Sequence, residues 1–243
     1  MNKLGITVPF HLKGGQGTNM IPNFRYLASL PFDVVLCGSE GNRSKEFAEQ
    51  FTNANTYYVE VPQGRVCTSP GGSPELRKKF NDSIIALAQV ARYDWYIMIG
   101  ANDVISQDFF DSLLFMNSNV PTVAGVDVNN HWLMHHMINR KTVAIKIRTQ
   151  RIRLAAGVNA YNYEALESCG YRPYQLDNCE VGMEVLAKQK CWTIAALDGK
   201  VLSLKDGTDL NTYELITKYH KVCTISDDDF DYVAEFLTKY DNG

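Results

Sequence analysis

The sequence predicts an α/β fold: a mostly parallel sheet flanked by helices, with a mixed-sheet C-terminal half. Three observations lead there. Strand-like and helix-like segments alternate through the first half, as they do where helices cross between parallel strands. The run Trp95-Tyr96-Ile97-Met98-Ile99 is continuously apolar, which suits a strand buried on both faces. The second half is less regular, and residues 142–148 alternate Val143, Ile145 and Ile147 with Ala144, Lys146 and Arg148, a two-faced pattern outside the parallel series.

The elements follow in order. Residues 5–10 suit a first strand, 22–30 a helix after a glycine-rich turn, 33–37 a second strand, 44–51 a helix and 57–61 a third strand. The spacing predicts a helix over 73–92, because Ser73 can cap it, Pro74 fits its first position, and Leu76, Phe80, Ile84 and Leu87 recur at helical intervals. It leads into the apolar strand, which stops in Asn102 and Asp103 and so delivers two oxygen-bearing side chains to the carboxyl edge of the sheet, where open α/β folds bind ligands. Ser106 reads as the N-cap of the next helix, with Asp108 in its first turn and Phe109, Leu113 and Met116 on its apolar face. A strand over 122–126, a capped helix over 162–168 closed by Gly170, a helix over 180–189, and strands over 192–197 and 201–204 come next. Helices near 211–220 and 228–240 end the chain, the last capped by Asp227-Asp228-Asp229.

Length and composition set bounds on this picture. With 243 residues and 45% hydrophobic content, the chain can bury one substantial core, and no linker rich in Pro, Gly or Ser divides it, so one domain is expected. The net charge of −3 gives no bulk attraction for nucleic acid or anionic membrane, and such a partner must be met by a local patch. Cys37, Cys67, Cys169, Cys179, Cys191 and Cys223 are scattered without a Cys-x-x-Cys pair, which suits reduced thiols in the cytoplasm. No run approaches the ~18 apolar residues of a membrane span, and the start lacks a signal-peptide apolar region. A soluble cytoplasmic protein is the expectation.

Gly100-Ala101-Asn102-Asp103, between strand and helix, resembles the tip of the GT-A glycosyltransferases, where a strand leads into the so-called DXD motif and then a helix. Their common pattern reads Asp-Ala-Asp-Asp, so two of three carboxylates are missing here. The resemblance implies a Rossmann-like GT-A fold, a UDP-linked nucleotide-sugar donor, and a divalent cation, manganese or magnesium, held by Asp103 with Asn102 as a weaker, neutral ligand. Gly71-Gly72-Ser73-Pro74-Glu75-Leu76-Arg77-Lys78-Lys79-Phe80-Asn81 occupies the place of the family's diphosphate-side loop and helix, which implicates Gly72, Arg77, Lys79 and Asn81. The physics agrees: glycines let backbone approach phosphate, and a helix N-terminus with basic side chains favours an anion. Val8-Pro9-Phe10 resembles the corner that cups the base, through Pro9 and Phe10, and Glu40 stands where the family often places an aspartate against base or ribose. Residues 155–166 resemble the acceptor-side segment. Asp177-Asn178-Cys179-Glu180 matches the position of the family's Glu-Asp motif, whose carboxylate is the general base in inverting members. Glu180 is the first candidate and Asp177 the second; Val181 leaves the pair incomplete. In these terms 1–105 is the nucleotide-sugar half, 106–205 the acceptor half and 206–243 the C-terminal helices.

Two features bear on the acceptor. Asn130, His131 and Trp132 follow a strand and suit sugars or bases, in what reads as a loop. Lys146 and Arg148 lie among six cations within residues 140–153, a patch able to meet phosphates, as in virus-encoded transferases that glycosylate hydroxymethylated bases in phage DNA. Two alternatives stay open. Residues 12–19 with Pro22 resemble the glycine-rich signature of sugar nucleotidyltransferases, although Asn19 stands where that family expects arginine. The thinned acidic motif also suits a non-catalytic nucleotide-sugar or glycan-binding module.

Overall fold

The computed structural model describes residues 1–12, 17–62, 74–117, 119–135, 144–146, 154–155, 157–176, 179–205 and 227–240, with 132–135, 144–146, 180–181, 205, 227–230 and 232 described through their backbone. Gly72, Ser73, Arg148 and Asp177, the glycines at 14 and 15, and the helix expected over 211–220 lie outside the described residues.

In chain order the first half holds β1 (Leu4–Pro9), α1 (Ile21–Ala28), β2 (Asp33–Gly38), α2 (Asn42–Glu49), β3 (Thr56–Glu60), α3 (Pro74–Val90) and β4 (Trp95–Ile99). There follow β5 (Asp103–Ile105), α4 (Gln107–Phe115), β6 (Thr122–Val126), β7 (His131–His135), β8 (Ala144–Lys146), β9 (Val158–Asn162) and α5 (Tyr163–Ser168). The last described elements are α6 (Cys179–Gln189), β10 (Thr193–Leu197), β11 (Val201–Lys205) and α7 (Asp227–Tyr240). The fold is α/β, with a seven-stranded sheet in the order β10-β6-β9-β4-β1-β2-β3. It is parallel throughout except at β9, which runs antiparallel to both β4 and β6. A second, mixed sheet has the order β5-β11-β7-β8.

Strand alternation divides the core between the two faces of the large sheet. Ile6 and Val8 of β1, Val34 and Leu36 of β2, and Ile97 and Ile99 of β4 pack with Phe24 of α1, Phe47 of α2, Phe109 of α4 and Phe236 of α7. Val35, Cys37, Tyr96 and Met98 point the other way, against Ile84 and Leu87 of α3, Leu166 of α5 and Leu186 of α6. Each such side chain withdrawn from water contributes roughly 1.5–3 kcal/mol, and burial on both sides explains why these strands read as continuous apolar runs.

The central antiparallel strand was hidden by its asparagines. Val158 and Ala160 face one core and Tyr161 the other, while buried Asn159 donates to the Tyr174 hydroxyl at 3.2 Å. Asn162 Oδ1 accepts from Thr122 N at 2.8 Å and from Ala165 N at 3.1 Å, so it also caps α5 as expected. Three further expectations change. β4 ends at Ile99, and Asp103 opens the short β5 instead of ending the preceding strand. The loop expected around His131 and Trp132 is strand β7, entered through a 3₁₀ turn over Val128–Asn130 that Asp127 caps by accepting from Asn129 N at 2.8 Å. Ser106 stands at the N-cap of α4, but its hydroxyl accepts from Lys200 N at 2.8 Å, bracing the turn before β11.

Candidate active site

Parallel pairing brings the functional candidates to one edge. β1, β2, β3, β4, β6 and β10 all finish there, and antiparallel β9 begins there. Because α3 leads into β4 and α6 into β10, and both strands finish at this edge, the N-termini of both helices open on it. Glu180 thus lies in the first turn of α6 on that edge, and Arg77 and Lys79 in the first turns of α3.

The turns after β1 and β2 form one polar corner. Pro9 ends β1, and Phe10, 3% exposed, turns its ring inward against Phe24 at 5.3 Å and Phe47 at 6.0 Å. Glu40 is held from several sides. Its carboxylate pairs with His11 and accepts from Leu12 N at 3.3 Å, from Ser39 Oγ at 3.2 Å and from the Ser44 hydroxyl, while Glu40 N donates back to Ser44 Oγ at 2.9 Å. Beneath these turns Lys79, 1% exposed, donates from Nζ to the Phe10 carbonyl and to Ser39 Oγ, the latter at 2.9 Å. Burial lowers the Lys79 ammonium to about 8 against the opposing pull of Cys37 and Glu60. Burial also pushes the Cys37 thiol up. Arg77 and Asn81 lace α3 to the segment before α6: Arg77 Nη1 donates to Gln175 O at 3.3 Å, and Asn81 exchanges two 3.0 Å bonds with the backbone of Tyr174.

The acidic tip is built differently. Asp103, 8% exposed, accepts from the Ser203 hydroxyl, and His131, 2% exposed, lies 2.9 Å from Ser203 Oγ through Nε2. Since the serine proton goes to the carboxylate, His131 donates from Nε2. The other Asp103 oxygen lies over Gly100 and Gly157, where a Cβ at either position would collide with it, and Gly157 has φ 89°. Asn23 of α1 donates to Gly100 O at 3.2 Å and Ala101 O at 3.1 Å. Asn102 donates from Nδ2 to Leu204 O at 2.7 Å, and its own carbonyl accepts from Leu204 N at 2.8 Å.

Beyond the tip, half-buried Asn130 closes the 3₁₀ turn and the register sets Trp132 opposite Lys146. On α6, Glu184 is 3% exposed and accepts from Leu154 N at 2.9 Å, which pins the approach to β9. His11, Asn23, Glu184 and Ser203 were not singled out in the sequence. Asn23 beside Phe24, and Ser203 within Val201-Leu202-Ser203-Leu204, are polar residues inside apolar patterns, and that was the available signal.

The divalent cation that the sequence resemblance implies needs several oxygen or nitrogen donors converging on one point. Among the described residues no three of His, Cys, Asp and Glu do so. Asp103 is the carboxylate of the tip, and the backbone oxygens beside it are engaged with Asn23 and Leu204. The described donor set does not fit such an ion.

No protein-family model matches the chain and no curated protein matches it. Among solved structures it is similar to CMP:2-keto-3-deoxy-manno-octonic acid synthetase complexed with CTP, at 10% identity and a TM-score of 0.46, covering 89% of this chain and 96% of that one. It is similar to 4-diphosphocytidyl-2C-methyl-D-erythritol synthase at 11% identity and a TM-score of 0.49, covering 98% and 100%. It is also similar to S. aureus TarS at 14% identity and a TM-score of 0.47, covering 99% of this chain and 44% of TarS. Likeness at this level assigns no activity.

Proposed function

We propose that this chain is a glycosyltransferase that moves a sugar from a nucleotide-diphosphate sugar, UDP-linked, to an acceptor hydroxyl with inversion. The observation that carries the reading is the convergence on one sheet edge of the Glu40 corner, the N-terminus of α3 with Arg77 and Lys79, and the N-terminus of α6 with Glu180. The corner suits the nucleoside, with Glu40 accepting from ribose or base, and the α3 terminus suits the diphosphate. Glu180 takes the proton from the acceptor hydroxyl as its oxygen bonds to the anomeric carbon, and the bond from that carbon to the diphosphate oxygen breaks. Asp177 is the second candidate for this base. On the acceptor side, the reading of a hydroxymethylated pyrimidine in DNA is supported by the basic run of residues 140–153, with Lys146 and Arg148, and not by His131, which is buried against Ser203.

The test is a panel of nucleotide sugars and nucleoside triphosphates with hydroxymethylated duplex DNA and simple glycosides as acceptors, followed by product release. Nucleoside diphosphate release that falls about 10²–10⁴-fold in Glu180→Gln supports the transferase and its base. Pyrophosphate released from a triphosphate would move the assignment to a nucleotidyltransferase, and binding without turnover to a non-catalytic module. Glycosylation of simple acceptors but not of DNA would remove the DNA reading.

A further inference from the structure

We propose that Glu184 of α6 is a positioning residue of the transfer reaction: by holding Leu154 N, it fixes the first turns of α6, and with them Glu180, against the entry to β9. The inference rests on the reading of Glu180 as the base and adds a second carboxylate that acts through it.

A glutamate is seldom fully buried unless it is paired. Glu184 lies one helical turn beyond Glu180, is 3% exposed, and shares its helix with the core residues Met183, Leu186 and Ala187. Packing at that position needs no carboxylate, and burying one is costly unless donors meet it. Its Oε1 accepts from Leu154 N at 2.9 Å, across a sequence separation of 30 residues.

The point it grips is where several parts of the edge meet. Leu154 forms an antiparallel bridge with Asp127, just past β6, and packs against Gly125, where a Cβ would stand 3.2 Å from its own. Ala155 N donates to Val126 O at 2.7 Å. Gly157 O accepts from Gly100 N at 2.8 Å, in the turn that follows β4. The chain entering β9 is therefore tied to β6 and to the tip, and Glu184 ties α6 to it. A base must meet the acceptor hydroxyl closely, and a displacement of about 1 Å can cost on the order of 10²-fold in rate. Loosening the bond to Leu154 lets the first turns of α6 shift along the edge. The cost then falls on kcat and not on donor binding, whose groups lie at the corner and on α3.

The test compares Glu184→Gln with Glu184→Asp in the full chain, using the donor and acceptor that the panel above identifies. Gln keeps the reach and an accepting oxygen without the charge, whereas Asp keeps the charge and draws the oxygen back by one methylene. A kcat at least about fivefold lower in Glu184→Asp than in Glu184→Gln, with donor KM within about threefold in both, supports the inference. Equal values or the reverse order overturn it. The same substitution is then made on Glu180→Gln. A further loss under about threefold supports action through Glu180, and the same loss on both backgrounds overturns it as a purely structural effect. Unaltered transfer by Glu180→Gln removes the base and this inference with it; a fall in Glu180→Gln without a difference between the two Glu184 variants removes this inference alone. Hydrogen exchange on the unaltered chain needs no variant to fold. A Leu154 amide slowed about 10²-fold or more below the free rate supports the bond, and a smaller slowing overturns the inference.

Discussion

The corner after β1 and β2 and the tip after β4 sit on the same sheet edge, and both bind their carboxylates to neighbouring groups, yet they differ in how far those groups reach water. At the corner, His11 and Glu40 remain partly exposed, with side chains 29% and 18% accessible, above a buried Lys79 that is bonded to the two turns. At the tip, Asp103, Ser203 and His131 are all at least nine-tenths buried and bonded in a row that ties β5 to β11 and β7. Position on the edge is therefore not enough to make an acidic residue a ligand-binding group. What separates the two is access to water: the side chains of Glu40 and His11 reach it, and those of Asp103, Ser203 and His131 do not, so the corner can receive a ligand and the tip braces the fold.

The sharpest way to break this contrast is Asp103→Leu, which strands Ser203 and His131 in a dry site. A loss of about 3 kcal/mol in denaturant unfolding is expected; a loss under about 1 kcal/mol would mean the tip braces nothing. Next comes Lys79. Its folded value lies near 8, below the ~10.4 of the unfolded chain, so the unfolded state holds more protons between these values. Stability should therefore rise with pH from about 8, by on the order of 2 kcal/mol up to about pH 9.5, relative to Lys79→Met, in which the slope is absent. Taking the difference between the two proteins removes the contributions of Tyr58 and Tyr93, whose hydroxyls burial, with Glu60 and Asp33 beside them, holds up. Ser203→Ala keeps the carboxylate but cuts the row, and should cost about 1 kcal/mol or slightly more by thermal unfolding. The smallest stability effect is expected of Glu40→Gln, under about 1 kcal/mol because the corner is partly solvated, with nucleotide affinity falling more than stability does. If Glu40→Gln proves the more damaging to folding, the two regions have been assigned the wrong way round.

Much of the architecture was legible because strands buried on both faces must be apolar runs, and the helices between them carry clean periodicity. The ordering of 5–10, 33–37, 57–61, 73–92 and 122–126 needed nothing more. β9 and β7 escaped for a shared reason: Asn159, Asn162 and His131 satisfy buried hydrogen bonds inside strands, and polar letters in a short run suggest a turn. The site was legible to the level of its edge and not to the level of its contacts. Arg77 and Asn81 fall where a phosphate-side helix was expected, but their bonds run to residues 174 and 175, nearly a hundred positions away. No local pattern encodes a partner at that separation.

The antiparallel strand has a consequence for how the chain is made. β9, at 158–162, is the neighbour of both β4 and β6, which precede it by dozens of residues. During synthesis from the N-terminus, β3, β2, β1 and β4 can assemble while β4 still shows a bare apolar edge. β6 has no place in the sheet until residue 162 has left the ribosome. For that interval the nascent chain presents the kind of unpaired strand that recruits other strands, so yield in a translation system should fall most steeply with temperature for chains stalled or truncated just before β9.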